Sequence, residues 1–215
     1  MSGLTGGIEF LFKKNKVDYM KGWGKFHDQN TVAVDMIGGG SEHVKAKNII
    51  IAIGSEPNAL PAASGLSFDE KYVVSSTGAL SLESIPKRMV VVGGGVIGLE
   101  MGSVYQRLGT EVTVVQHTDR SCPFLDVEVG KAFQQLLKKQ GIKFLFNTKV
   151  KAGVNNKEKG VSISLEDSKT GAPSTIDTDV ALISIGRHAF TDGLNLDKAG
   201  LKANDRGIIE INNHW

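Results

Sequence analysis

The stretch RMVVVGGGVIG, residues 88–98, constrains the chain more than any other. An apolar β-like run ends abruptly in Gly93-Gly94-Gly95. It is followed by VIGLEMGSVYQRLG, whose apolar spacing is helical and which stops at Gly109. In G-x-G-x-x-G terms the three glycines are Gly93, Gly95 and Gly98. The first permits a tight turn out of the strand, and the second lets the backbone approach a pyrophosphate. The third lets the helix pack close to the strand, a contact that Gly102 extends. The helix then aims its unpaired N–H groups, with Leu99 and Glu100 in its first turns, at the phosphate charge. A further strand, EVTVV, follows one crossover later. The glycine turn therefore has the context that dinucleotide binding requires, and Gly93, Gly94, Gly95, Val96, Ile97 and Gly98 are its expected cradle.

The neighbouring segments extend this unit. DVEVGKAFQQLLKKQG, 126–141, reads as an amphipathic helix with Asp126 as N-cap and Gly141 just past its end, and IKFLF reads as a third strand. Strand–helix–strand–helix–strand predicts an α/β fold with a Rossmann-type parallel sheet and right-handed crossover helices. TKVKAGV, GVSISLED and STIDT, within 148–179, alternate polar and apolar residues and predict an antiparallel β-meander. DVALISIG then closes the unit as a buried strand.

Upstream, residues 5–15 predict a helix with Ile8, Leu11 and Phe12 on one face and Lys13, Lys14 and Lys16 at a solvated end. VDYMKGWGKF and TVAVDMI predict a hairpin across HDQN, and GGGS at 38–41 predicts a second turn. HVKA and NIIIAIG suggest another strand pair, with NIIIAIG (48–54) buried on both faces. A connector at 72–86 holds a short helix around Ala79–Glu83, and the tail from 187 is loop-rich before a strand-like GIIEINNHW. NIIIAIGSEP and DVALISIGRHAF echo one another, which suggests two related nucleotide-binding folds interleaved in one chain.

Composition removes several functions. Lys+Arg 25 against Asp+Glu 23 gives a net charge of +2, too small for a field that captures nucleic acid or an acidic membrane. No apolar run has the length of a membrane span, and the first residues have neither signal-peptide nor transit-peptide character. One cysteine, Cys122, excludes an intrachain disulfide and a two-thiol redox centre made by this chain alone; it reads as a packing residue. The five histidines lack ligand spacing, so no metal is expected.

The dinucleotide fingerprint also calls for an acid at the end of the second strand, to accept from the adenosine ribose hydroxyls. Gln116 stands there instead. Its amide can hydrogen-bond a ribose, but it carries no charge to repel a 2′-phosphate. His117 and Arg120 lie just beyond it, and solvent is the simpler expectation for Arg120.

VVVGGGVIGLEMGSVYQRLGTEVTVV closely resembles the NAD-binding segment of the dihydrolipoamide dehydrogenases, flavin-dependent pyridine nucleotide–disulfide oxidoreductases. LTGGIEFLFKKNKV, MKGWGKF, KNIIIAIGSEP, VVSSTGALSLESIPKRMVVV, KKQGIKFLFNTKV and ISIGRHAFT match that family in order, so the likeness covers essentially the whole chain. It implies pyridine-nucleotide contacts at Gly93 through Glu100, Gln116, Val150 and Gly186. It implies flavin (FAD) contacts at Gly22, Ile53, Gly54 and Ser55, and it places Ile97 and Glu100 near the nicotinamide. Three positions depart from the family: Gln116 replaces glutamate, Ile53 replaces threonine, and His188-Ala189 replaces Arg-Pro, which is expected to loosen that turn.

The family's first glycine fingerprint, redox cysteine pair and catalytic histidine–glutamate pair have no counterpart in the sequence, so no catalytic residue is assigned. The resemblance implies an internal fragment: part of an FAD-binding domain over 1–75, an NAD-binding domain over 76–190, and a return to the first domain over 191–215. Such a fragment is expected to be inactive alone, to leave unpaired sheet edges that favour aggregation, and not to form the family's homodimer. The implied partners are the dihydrolipoyl domains of 2-oxoacid dehydrogenase complexes, with no nucleic acid and no membrane. The implied compartment is the mitochondrial matrix or the bacterial cytoplasm. The rival readings are another NAD(P)H-dependent flavin disulfide reductase or NADH oxidase, or a non-catalytic nucleotide-binding module.

Overall fold

Successive side chains of a strand point to opposite faces, so a run such as RMVVV survives only where both faces are covered. A computed structural model, which describes residues 2–213, shows that coverage. The chain divides into two compact units, residues 56–188 and residues 1–55 with 189–215.

The unit of residues 56–188 is built on a five-stranded parallel sheet. In chain order its strands are β5 (Val73–Val74), β6 (Arg88–Val92), β7 (Glu111–Val115), β8 (Lys143–Leu145) and β12 (Val180–Ile183), and their spatial order is β5-β12-β6-β7-β8. The helices α3 (Val96–Arg107) and α4 (Val127–Lys139) make the crossovers from β6 to β7 and from β7 to β8. Met89, Val91, Val112, Val114, Val180 and Leu182 face them, packed with Leu99, Tyr105 and Leu137. The alternate residues Val90, Val92, Val115, Ala181 and Ile183 face the other way, onto Val161, Ile163 and Leu165. Those three belong to β10 (Val161–Asp167), the middle strand of an antiparallel sheet completed by β9 (Thr148–Asn155) and β11 (Pro173–Thr178). The parallel sheet, its crossover helices and the meander are those the sequence predicts, and the core packs them as three layers.

Local chemistry sets the ends. Asp126 caps α4 by accepting from the Glu128 N–H at 2.9 Å, and Gly141 follows the helix at φ +102°. The short helix in the connector lies earlier than expected, at α2 (Ser76–Ala79), because the Ser75 hydroxyl accepts from the Thr77 N–H (3.1 Å) and starts it there. Residues 56–75 belong to this unit and not to the first one: Leu66 is in its core and β5 pairs with β12. The chain enters and leaves the unit through β4 (Ser55–Pro57) and β13 (Arg187–Ala189), which pair. The turn at His188 is tied and not loosened. The Asn58 N–H donates to the Gly186 carbonyl (2.9 Å), and Asn58 Oδ1 lies 2.8 Å from His188 Nδ1.

The other unit holds α1 (Ser2–Lys14) and an antiparallel sheet of β1 (Gly22–Asp28), β2 (Thr31–Met36) and β3 (Ser41–Lys45) in that order. The HDQN and GGGS turns fall where expected. The apolar face of α1 is open, with Ile8 and Leu11 exposed. NIIIAIG is not a buried strand: residues 48–54 lie in no strand and Ile50 is 89% exposed. Ile49 and Ile51 are half-buried and line an apolar pocket with Phe26, Val32 and Leu194. Among the described residues, however, the run has no neighbouring strand, and an apolar run without a ladder partner cannot become a sheet strand. The strand-like tail reduces to one bridge, Ala203 with Ile209; its last residues, His214 and Trp215, lie outside the described residues.

Candidate nucleotide site

β6 is where the parallel sheet changes direction: β7 and β8 extend one way, and β12 and β5 the other. Ligands of open α/β sheets bind beyond the carboxyl ends of strands at such a point, and the glycine turn lies there. Gly93 has φ +108°, and a Cβ on it would lie 2.4 Å from the Ser184 carbonyl oxygen, so only glycine fits. A Cβ on Gly98 would lie 2.4 Å from both the Gly93 carbonyl oxygen and Ser184 Oγ. These two glycines are required by packing.

Gly95 is different. It has extended backbone (φ −82°, ψ 179°), and nothing lies within 4 Å of where its Cβ would stand. Neither backbone geometry nor packing asks for glycine at this position. Gly95 is also the N-cap of α3 and supplies no side-chain cap, so the first-turn N–H groups of a twelve-residue helix have no capping side chain among the described residues. The room is open to a ligand, and the donors and dipole there suit a phosphate.

Two cavities adjoin the turn. One, of about 360 Å³, is lined by Gly93, Gly95, Val96 and Ile97 on one side and by Ile183–Arg187 on the other, with the exposed ring of Phe124 at its margin. The second, of about 450 Å³, is lined by Val92, Gly93, Val115 and Gln116 together with Thr148–Lys151 of β9. Gly93, Gln116, His117 and Ile185 line both, so the two cavities share a wall.

Gln116 is 5% exposed and its amide is engaged within the protein. Oε1 accepts from the Gly94 N–H (2.8 Å), and Nε2 donates to Thr118 Oγ1 (2.7 Å). It therefore braces the glycine turn. The Cys122 N–H braces it from the other side by donating to the Gly94 carbonyl (2.8 Å). The Cys122 thiol is buried, which pushes its pKa up and leaves it a poor nucleophile. Arg120 is spent on its own loop, donating to the Pro123 carbonyl (2.9 Å).

Gly93, Gly95, Val96, Ile97, Gln116 and Gly186 come together at the first cavity, and Gln116 and Val150 at the second. Gly94 and Gly98 are buried behind the turn. Leu99 is fully buried in the helix-side core, and Glu100 is exposed; neither lines a cavity. Ser184 is a residue that sequence reasoning missed. Its hydroxyl donates toward the Val92 and Gly93 carbonyls (3.1 and 3.0 Å), fixing the strand end from which the turn departs. A polar residue at the carboxyl end of the buried strand VALIS was the available signal.

Gly22 and Ile53 line a cavity of about 460 Å³ in the other unit, with Trp23, Lys25 and Asp192. Gly22 also has a packing reason, since its Cβ would lie 2.5 Å from the Asp35 carbonyl oxygen. Gly54 (φ +79°) accepts from the Phe190 N–H (3.2 Å); neither Gly54 nor Ser55 lines that cavity.

The sequence profile of the pyridine nucleotide-disulphide oxidoreductases matches residues 1–215, and the chain belongs to that family. Within it, the chain is 50% identical to a dihydrolipoamide dehydrogenase of Chaetomium thermophilum and 51% identical to the mitochondrial dihydrolipoyl dehydrogenase of Pisum sativum. It is 52% identical to a leghemoglobin reductase of Vigna unguiculata. Each comparison covers all of this chain but 40–42% of the relative, so the chain spans less than half the length of the curated relatives it matches. The HOCl-induced flavoprotein disulfide reductase RclA of Escherichia coli shares the fold, with a TM-score of 0.76 over 95% of this chain and 46% of that one at 23% identity. No described helix is long and apolar enough to cross a membrane.

Proposed function

We propose that residues 56–188 bind NAD(H) for a dihydrolipoyl dehydrogenase, the flavoenzyme that returns electrons from dihydrolipoyl groups of 2-oxoacid dehydrogenase complexes to NAD+. The observation that carries this reading is Gly95: a glycine with no steric need to be one, at the uncapped start of α3, lining the first of two cavities that share a wall. The nucleotide supplies a hydride acceptor. The chain's own part is to hold it. First-turn N–H groups of α3 bind the pyrophosphate, Gln116 and Val150 border the adenosine side, and Ile97 borders the side where α3 faces Ile183–Arg187. Glu100 is assigned to the nicotinamide by likeness to the family. The same likeness assigns Gly22, Ile53, Gly54 and Ser55 to FAD.

With a single buried cysteine, this chain supplies no disulfide of its own, so the thiol-to-flavin steps belong to other parts of such an enzyme. The mitochondrial matrix is the proposed compartment, on the names of the plant relatives. Fluorescence titration with NADH tests the reading. Saturable binding, with a thermal midpoint that rises with ligand, is expected; at a hundredfold excess over Kd the linkage is about 2.7 kcal/mol. A midpoint indifferent to NADH would overturn it.

A further inference from the structure

The second cavity bears on which dinucleotide the site takes, and the following rests on the nucleotide-binding reading above. A carboxylate at the end of the second strand excludes a 2′-phosphorylated coenzyme in two ways: it repels the phosphate, and it rewards a free 2′-hydroxyl with a charge-assisted hydrogen bond. Gln116 does neither. It is neutral, and the Gly94 N–H fixes which end of its amide is oxygen. With Nε2 donating to Thr118, one lone pair and one N–H remain for a ligand.

Among the described residues no aspartate or glutamate lines the 450 Å³ cavity, whereas His117, Lys149 and Lys151 all do; Glu166 stands opposite Lys149 in β10 but outside that lining. Lys151 is partly engaged, its Nζ 3.3 Å from Glu166 Oε2. Lys149 has no ion-pair partner among the described residues. The adenosine end of the site is thus neutral to basic and offers a free ammonium, the opposite of what rejects a phosphate.

We propose that this site takes dinucleotides with and without a phosphate on the adenosine 2′-oxygen, so that it accepts NADP(H) alongside NAD(H). Gln116 sets this tolerance by what it lacks, and Lys149 contributes by attraction.

The test is parallel titration of the whole chain with NADH and NADPH at about 0.02 M and about 0.3 M salt, a range over which screening of exposed charges changes strongly. The expected result is two affinities within about tenfold at low salt, with NADPH binding falling more steeply as salt rises. NADH binding with NADPH weaker by about a hundredfold or more at low salt would overturn the proposal and leave the nucleotide site standing. Failure to bind either would overturn the nucleotide site itself. Gln116→Glu is expected to shift the affinity ratio about tenfold toward NADH. Because Gln116 is buried, the exposed Lys149→Ala serves as an independent variant, expected to shift the ratio about two- to fivefold toward NADH. A ratio unmoved by Lys149→Ala would contradict the role given to that lysine.

Discussion

Residues 48–54 and residues 179–186 are made of the same kinds of side chain, and each run ends at a glycine with positive φ, Gly54 at +79° and Gly186 at +119°. Their fates differ. Val180–Ile183 lies between β5 and β6 with an apolar layer on each face, while Ile50 stands almost fully in solvent. Apolar content makes a run fit for a buried strand, but neighbours with free backbone groups make it one. The unit of residues 56–188 supplies those neighbours from within 56–188. The other unit does not supply them for 48–54 among the described residues.

The contrast predicts unequal responses to the same substitution. Leu182→Ala removes a fully buried side chain from the helix-side core and is expected to lower stability by about 2–5 kcal/mol. Ile50→Ala is expected to change it by less than about 0.5 kcal/mol. Urea denaturation checks both, and comparable losses would mean that 48–54 is buried in solution.

A smaller effect concerns how the parallel sheet is tied at its other end. Asp179 accepts from the Arg88 backbone N–H and pairs with its guanidinium, both at 2.9 Å. Partial burial works against ionisation of Asp179, but these bonds outweigh it and hold its carboxyl below the ordinary aspartate range. The folded-state value is the lower one. The contribution is therefore present above the unfolded carboxyl range and is lost as pH falls below about 4. Asp179→Asn is expected to cost about 0.5–1 kcal/mol at neutral pH, with the gap to the unmodified protein closing in acid. A gap undiminished at pH 3 would contradict its assignment to the charge.

Much of the fold was legible because its determinants are local. Strand periods, the Asp126 cap and the stop at Gly141 all follow from residues near in sequence. Ser75 moved a helix by a few residues, a shift that depends on which of several hydroxyls caps it. The site was legible as a turn but not as a cavity. Lys149 joins Gln116 only because β9 folds back across the sheet, and Ser184 reaches Gly93 from a strand more than ninety residues along the chain. The bond of Gln116 to Gly94 was also out of reach, since the two become neighbours only when β6 and β7 pair.

Gly93 and Gly95 offer the most direct measurement, because adjacent parts of one turn are glycine for different reasons. Gly93→Ala places a methyl against the Ser184 carbonyl at positive φ and is expected to lose stability and NADH binding together. Gly95→Ala meets nothing in the protein; its stability is expected to stay within about 1 kcal/mol of the parent, while NADH affinity falls about tenfold or more. Gly95→Ala that binds NADH as tightly as the parent would contradict the assignment of this turn as a phosphate cradle.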